Sequence, residues 1–179
     1  MLPPGHIAAG YLTAEALLKL THPNITLAQS SALLWWGVLF GFLPDLDTFY
    51  VFFQQRAFRI KSSYENNHRK FFTHAPILWL IPGLLIYFLS KDVYHQCIGL
   101  VLWLASWSHF LLDSIEDGVM WLWPFSSKQF ALRYPSQIIV EENKFFNYWW
   151  KFTIQYATTR LSFYFEVLII ISAIIIFFK

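Results

Sequence analysis

Seven residues of this sequence carry side chains suited to holding a divalent cation: His6, Asp45, Asp47, His68, His74, His109 and Asp113. Carboxylate oxygens and neutral imidazole nitrogens are natural ligands for such ions. Asp45 and Asp47 stand two apart, and Pro44 precedes them. On an unbroken helix, positions i and i+2 point away from each other. A proline removes a helical hydrogen bond at this point, which predicts a break that turns both carboxylates towards one centre. Either of them is then also a candidate general base. His109 and Asp113 are spaced i, i+4, so a helix projects both from one face. Arg69 offers a planar fork that suits pairing with a phosphate. Other catalytic patterns are missing: there is no G-x-S-x-G elbow, no P-loop and no H-E-x-x-H. With Cys97 as the single cysteine, no thiolate zinc site can form.

The elements that must position these residues are apolar. The chain has 179 residues, of which 56% are hydrophobic, 21% aromatic and 13% charged, against about 25% charged in soluble domains. Its mean hydropathy is +0.43. This composition excludes a disordered chain and a disulfide scaffold, and a net charge of +2 is too mild for a nucleic-acid binder. The expectation is an all-α integral membrane protein, a single domain over 1–179 with four to five hydrophobic helices. Apolar runs cover 7–20, 31–53, 71–89, 97–112 and 162–178. The first, at ~1.5 Å per residue, is shorter than the ~30 Å hydrocarbon core. The last, with Glu166 as its one charge, reads as a C-terminal membrane anchor over 161–179. Residues 1–6 lack a basic n-region, so no cleaved signal is expected. Between 113 and 160, Trp121, Trp123, Phe125, Phe145, Phe146, Trp149 and Trp150 suit an interfacial aromatic belt.

Basic residues set the expected orientation. Arg56, Arg59, Lys61, Arg69 and Lys70 lie between the second and third runs, and Lys128, Arg133, Lys144, Lys151 and Arg160 follow the fourth. Lys19, Lys91 and Lys179 are left for the other side. The imbalance predicts a multi-pass topology with both basic segments and the N-terminus cytoplasmic. The cluster from Arg56 to Lys70 also suits a phosphate or nucleic-acid patch, but topology explains it without a further assumption. On this map all seven candidate ligands reach the cytoplasmic face, while His22 and His95 fall on the opposite side. A carboxylate inside a span costs ~2.5–3.5 kcal/mol, so Asp45 and Asp47 need a cation. A bound metal meets that need better than loop Arg or Lys residues.

The ordered motifs resemble a known family. Gly5-His6, Leu43-Pro44-Asp45-Leu46-Asp47, His68-Arg69 with Thr73-His74, and Ser108-His109 with Leu112-Asp113 and Trp123-Pro124-Phe125 are similar to those of the bacterial inner-membrane metal-dependent hydrolases of the YdjM type. The motifs span positions 6 to 125. That family has been grouped with zinc phospholipase C and P1 nuclease, which are helical and cleave phosphoesters at multi-zinc sites. The resemblance implies an all-α fold and a zinc-dependent phosphoesterase. The block that commonly runs His-Arg-Gly-x-Thr-His departs here: Lys70 replaces the glycine and one residue is added. The departure bears on His68 as a ligand more than on His74.

The expected function is therefore a membrane-embedded hydrolase with two or three metal ions, zinc by resemblance, acting through activated water. Seven ligands exceed what one four-coordinate ion needs. The expected metal ligands are all seven residues, and the expected catalytic groups are Asp45, Asp47 and Arg69. The expected partners are the lipid bilayer and a phospholipid or lipid-linked phosphate substrate, with no nucleic acid. Two alternatives stand beside it: a non-enzymatic ion-binding or transport protein, and an assembly factor with a structural metal. Intramembrane carboxylates and histidines also mark ion pathways. In that case polar residues should continue across the bilayer, whereas the outer halves of these runs are Leu, Ile, Trp and Phe.

Overall fold

The computed structural model describes residues 2–55, 68–135, 138, 140, 142 and 144–179, and the side chains at 52, 54, 55 and 68 lie outside that description. Arg56, Arg59 and Lys61 of the basic segment therefore lie outside the described residues. The regular elements of the described residues are helices: α1 (Pro3–Thr21), α2 (Leu27–Phe42), α3 (Leu46–Gln55), α4 (Ile77–Leu89), α5 (Val93–Asp113), α6 (Phe145–Thr159) and α7 (Leu161–Phe177). No strand is present among the described residues. One antiparallel bridge joins Val119 and Phe130.

Local chemistry fixes the helix starts. Thr26 and Gln29 form a reciprocal capping box at the start of α2, and the Asp92 side chain accepts from the His95 amide at 3.0 Å to start α5. Pro44 splits the second apolar run: a single 3₁₀ turn, Leu43–Asp45, separates α2 from α3. The third run opens with two more 3₁₀ turns, His68–Lys70 and Phe72–His74, before α4 begins. These short turns, not long helices, carry Asp45, Arg69 and His74.

Helix α1 packs on α2, α5 and α7, and α5 packs on α2 and α4. Glycines allow the closest approaches. A Cβ on Gly10 would overlap the Gly37 carbonyl, and one on Gly41 would lie 2.5 Å from the His6 carbonyl. Likewise Gly83 of α4 and Gly99 of α5 each face the other's carbonyl, where a Cβ would approach to 2.8 and 2.6 Å. Such small-residue seams suit helices that pack without a hydrophobic driving force. Ala14, Leu17, Leu33, Phe40, Val101, Leu102 and Ala105 fill the core between α1, α2 and α5. Ser106 adds a polar tie, donating to the Leu102 carbonyl at 2.8 Å and the Phe40 carbonyl at 3.3 Å.

The segment Leu27–Val51, 25 residues through the 3₁₀ turn, is long and apolar enough to cross a membrane. Helices α6 and α7 meet that standard together, although they meet at 98°, and Ile77–Leu89 is apolar but shorter. Along α6, Tyr148, Phe152 and Tyr156 are buried against Leu2, Trp149 and Phe163, while Phe146, Trp150 and Ile154 are exposed.

Candidate metal centre

Four elements deliver side chains to one buried point. His6 comes from the first turn of α1, Asp45 from the 3₁₀ turn after α2, His74 from the turn before α4, and His109 and Asp113 from the last turns of α5. His6, His74, His109 and Asp113 have no exposed surface, and Asp45 keeps only 4%. One ligand atom each from Asp45, His74, His109 and Asp113 falls within 4.8 Å of the others, a spacing that could hold a metal ion.

The two carboxylates are shared between the imidazoles. Asp45 Oδ1 lies 3.6 Å from His74 Nε2 and 3.7 Å from His109 Nε2, while its Oδ2 lies 3.9 Å from His6 Nε2. Asp113 Oδ2 is 3.6 Å from His109 Nε2, and its Oδ1 is 3.2 Å from His6 Nε2. Each carboxylate thus presents one oxygen to the His74/His109 side and the other to His6.

The imidazoles are held from behind. His109 Nδ1 donates to the Gly41 carbonyl at 2.9 Å, and His74 Nδ1 donates to Asp47 Oδ2 at 2.8 Å. Those contacts engage the Nδ1 atoms and leave both Nε2 atoms aimed inward, the arrangement that metal-ligating histidines adopt. Among the described residues, His109 Nε2 and both ring nitrogens of His6 make no hydrogen bond despite complete burial. A buried polar atom without a partner costs about 1–3 kcal/mol. A cation at this point would engage these orphaned nitrogens, so the donor set fits a divalent metal.

Asp47 sits one step back from the centre. Its Oδ2 accepts from Thr73 Oγ1 and His74 Nδ1, while its Oδ1 is buried and accepts from none of the described residues. Arg69 also turns to protein carboxylates. Its Nε donates to Asp113 Oδ2 at 2.9 Å and its Nη2 lies 3.2 Å from Asp117 Oδ2. Burial opposes the charge on Arg69, and Asp113 and Asp117 more than offset it, raising its pKa above the ordinary arginine value. His68 begins its 3₁₀ turn, but its side chain lies outside the described residues.

Sequence reasoning passed over three contributors. Asp117 follows Asp113 by four residues, a spacing that signals a shared face. Gly41 acts through a backbone carbonyl, which no residue type announces. Thr73 stood within a quoted motif without a role.

The helical bundle, the buried acid–imidazole cluster and the order of the motifs can now be set beside known proteins. The YdjM inner membrane protein family matches the chain over residues 1–179. The chain belongs to that family. It is similar to the inner membrane protein YbcI of Escherichia coli (strain K12), 32% identical over 115 residues, which cover 60% of this chain and 61% of YbcI. The chain thus spans less than two thirds of that relative's length. No solved structure matches significantly. The family places the protein in the inner membrane, in agreement with its composition.

Proposed function

We propose that this protein is a membrane-embedded, metal-dependent phosphoester hydrolase. The observation that carries the reading is the sharing of Asp45 and Asp113 between His74/His109 on one side and His6 on the other. Carboxylates with both oxygens so directed favour two ions over one, and the nitrogen and oxygen donor set suits zinc. His74, His109, Asp45 and Asp113 would hold the first ion, and His6 with the far oxygens of Asp45 and Asp113 the second. Bound there, divalent ions supply Lewis acidity towards a phosphoryl oxygen and activate water at neutral pH.

The protein's own groups divide the remaining tasks. Asp47 orients His74, and its Oδ1, which accepts from none of the described residues, would take a proton from water. Arg69, 16% exposed at its side chain and tied to Asp113 and Asp117, keeps positive charge beside the site, where a phosphate dianion would be drawn.

A lipid phosphoester is the substrate class these surroundings favour. An apolar groove of about 260 Å³ runs between α1, α5 and α7, lined by Ala9, Leu12, Thr13, Ser108, Leu112 and Ile169 among others. Thr13 and Ser108 spend their hydroxyls on the carbonyls of Ala9 and Ala105, so its walls offer methyl and methylene surface. Its lining residues Ser108 and Leu112 precede His109 and Asp113 by one position each and Ala9 follows His6 by three, so an acyl chain in the groove would lie against the helices that carry those candidate ligands. The distribution of Lys and Arg supports a multi-pass topology with the site facing the cytoplasm.

The test is elemental analysis of protein purified without chelators, followed by hydrolysis of a generic phosphodiester and of a long-chain phospholipid, each with and without chelator. Bound zinc with chelator-sensitive hydrolysis supports the reading. Bound metal without hydrolysis of either substrate moves the protein to the structural or transport class.

A further inference from the structure

The C-terminal helix carries two buried groups that the proposed chemistry does not use. Glu166, in the second turn of α7, is 4% exposed, and Tyr156 of α6 is 5% exposed. Tyr156 donates its hydroxyl to Glu166 Oε2 at 2.9 Å, and the same oxygen accepts the Leu2 amide at 3.3 Å. Leu2 is the N-cap residue of α1, and Pro3 and Pro4 follow it. Prolines have no amide hydrogen, so the Leu2 N–H is the outermost donor of this helix end. A carboxylate placed there also meets the positive end of the α1 dipole. The fit is close: a Cβ on Gly5, one residue before His6, would lie 2.7 Å from Glu166 Cγ.

The other end of the connection reaches α5. Glu116, three residues beyond Asp113, takes the Ser162 amide at 2.9 Å, the Ser162 hydroxyl at 2.7 Å and the Leu161 amide at 3.1 Å. It caps α7 from a distance, and Ser162 in turn lies 3.3 Å from the Tyr156 hydroxyl. A continuous polar path therefore runs from the turn after Asp113, through the start of α7, to the first turn of α1. Its ends, Leu2 and Glu116, stand four residues before His6 and three after Asp113, which lie 3.2 Å apart at the centre.

We infer that Glu166 is a positioning residue for the metal centre: by capping α1 it holds His6 in register with Asp113. The inference rests on the metal-site reading proposed above. It makes α7 part of the site's scaffold as well as an apolar helix. A lone carboxylate inside an apolar helix is costly and marks function by default. Here its partners are a phenol and the helix end that bears a candidate ligand.

The test uses the full-length protein in detergent with two readouts. The first is acylation of individual histidines by diethyl pyrocarbonate in chelator-treated protein, mapped by mass spectrometry. The second is zinc affinity by competition, for wild type, Glu166→Met, Glu166→Gln, His6→Ala and the double variant His6→Ala/Glu166→Met. Glu166→Met should raise modification of His6 about tenfold while His74 and His109 stay protected, and Glu166→Gln, which keeps an acceptor, should restore protection. Zinc affinity should fall about 10–100-fold in Glu166→Met, as for other groups that support a ligand from behind. In the His6→Ala background the same change should cost nothing further. Unchanged His6 modification, equal exposure of all three histidines, or full additivity in the double variant each overturns the inference. If wild type binds no zinc, the metal reading fails, and the histidine modification alone then decides whether Glu166 positions His6.

Discussion

His6 and His109 stack with their ring centroids 3.7 Å apart and their planes inclined by 25°. Two imidazolium ions would repel each other at this separation inside a buried site, so the stack requires at least one neutral ring. The two reach the contact from different helices, α1 and α5, and each directs Nε2 towards Asp113, at 3.2 and 3.6 Å. The geometry is that of ligands gathered around shared carboxylates, and it separates the roles of the two rings.

His109→Ala removes a donor directed at both Asp45 and Asp113, whereas His6→Ala leaves Asp45, His74, His109 and Asp113 in place. Protein purified without chelators should therefore retain more metal in His6→Ala than in His109→Ala. Elemental analysis at matched protein concentration measures the difference, and equal loss in both variants would contradict separate roles.

Asp47 and Asp113 should part in the same way. Asp113→Asn removes charge from a carboxylate that faces three of the centre's partners, and metal content and hydrolysis should fall together. Asp47→Asn disturbs the support of His74 Nδ1 and removes the carboxylate that would take the proton. It should weaken metal binding about 10–100-fold and, at saturating metal, still lower the rate about 10²-fold or more. Full rate at saturating metal in Asp47→Asn would leave this residue a purely orienting group.

The seam between α1 and α2 predicts a stability effect away from the ligands. A side chain at Gly10 meets the Gly37 backbone, which cannot rotate aside. Gly10→Leu should destabilise by about 1–3 kcal/mol or more and should lower metal content, because α1 carries His6 on the same seam. Thermal unfolding of Gly10→Leu against the exposed-site control Leu20→Ala checks the comparison.

Glu116 supplies a pH dependence with a definite sign. Burial pushes its carboxyl up, but the Ser162 and Leu161 donors and the nearby Arg160 more than reverse this, so its pKa falls below the usual glutamate value. Arg133 also faces it, with Nη1 at 3.4 Å. A group with a lowered folded pKa contributes stability that is complete above the unfolded value of ~4.3 and is lost as pH falls through the folded value. The stability advantage of wild type over Glu116→Gln should therefore shrink as the pH is lowered from about 6 to about 3. Unfolding curves in detergent across that range measure it, and a constant difference would show that the charge of Glu116 has no part in the cap.

Much of the candidate centre was legible because a membrane makes polar residues conspicuous. His6, Asp45, His74, His109 and Asp113 stand out by type alone against Leu, Ile, Phe and Trp, and the i, i+4 pair on α5 needed only helical geometry. Pro44 announced a break, but not that Asp45 would enter the cluster while Asp47 turned to the far side of His74. That division depends on the 3₁₀ turn and on Thr73, whose contact with Asp47 comes from another segment. Glu166 was visible as an anomaly in its apolar run, yet its partner is the second residue of the chain, and no local pattern encodes such a pairing. Arg69 was read as a phosphate fork, since the sequence shows its chemistry but not its proximity to Asp113 and Asp117. The 98° turn between α6 and α7 was likewise hidden, because the apolar run of α7 begins at the bend while the amphipathic α6 before it reads as interfacial loop.

The bond between the Leu2 amide and Glu166 joins positions 164 residues apart, and this has a consequence for biosynthesis. The ribosome delivers α1 and α2 early, and their glycine seam can close at once. The α1 cap can form only after Glu166 of α7 has been made. A nascent chain halted before α7 would carry an uncapped first helix and a Glu116 carboxylate with no amides to bind. Both are unsatisfied polar groups, which are costly wherever water is scarce. Completion of α7 supplies partners to both at once.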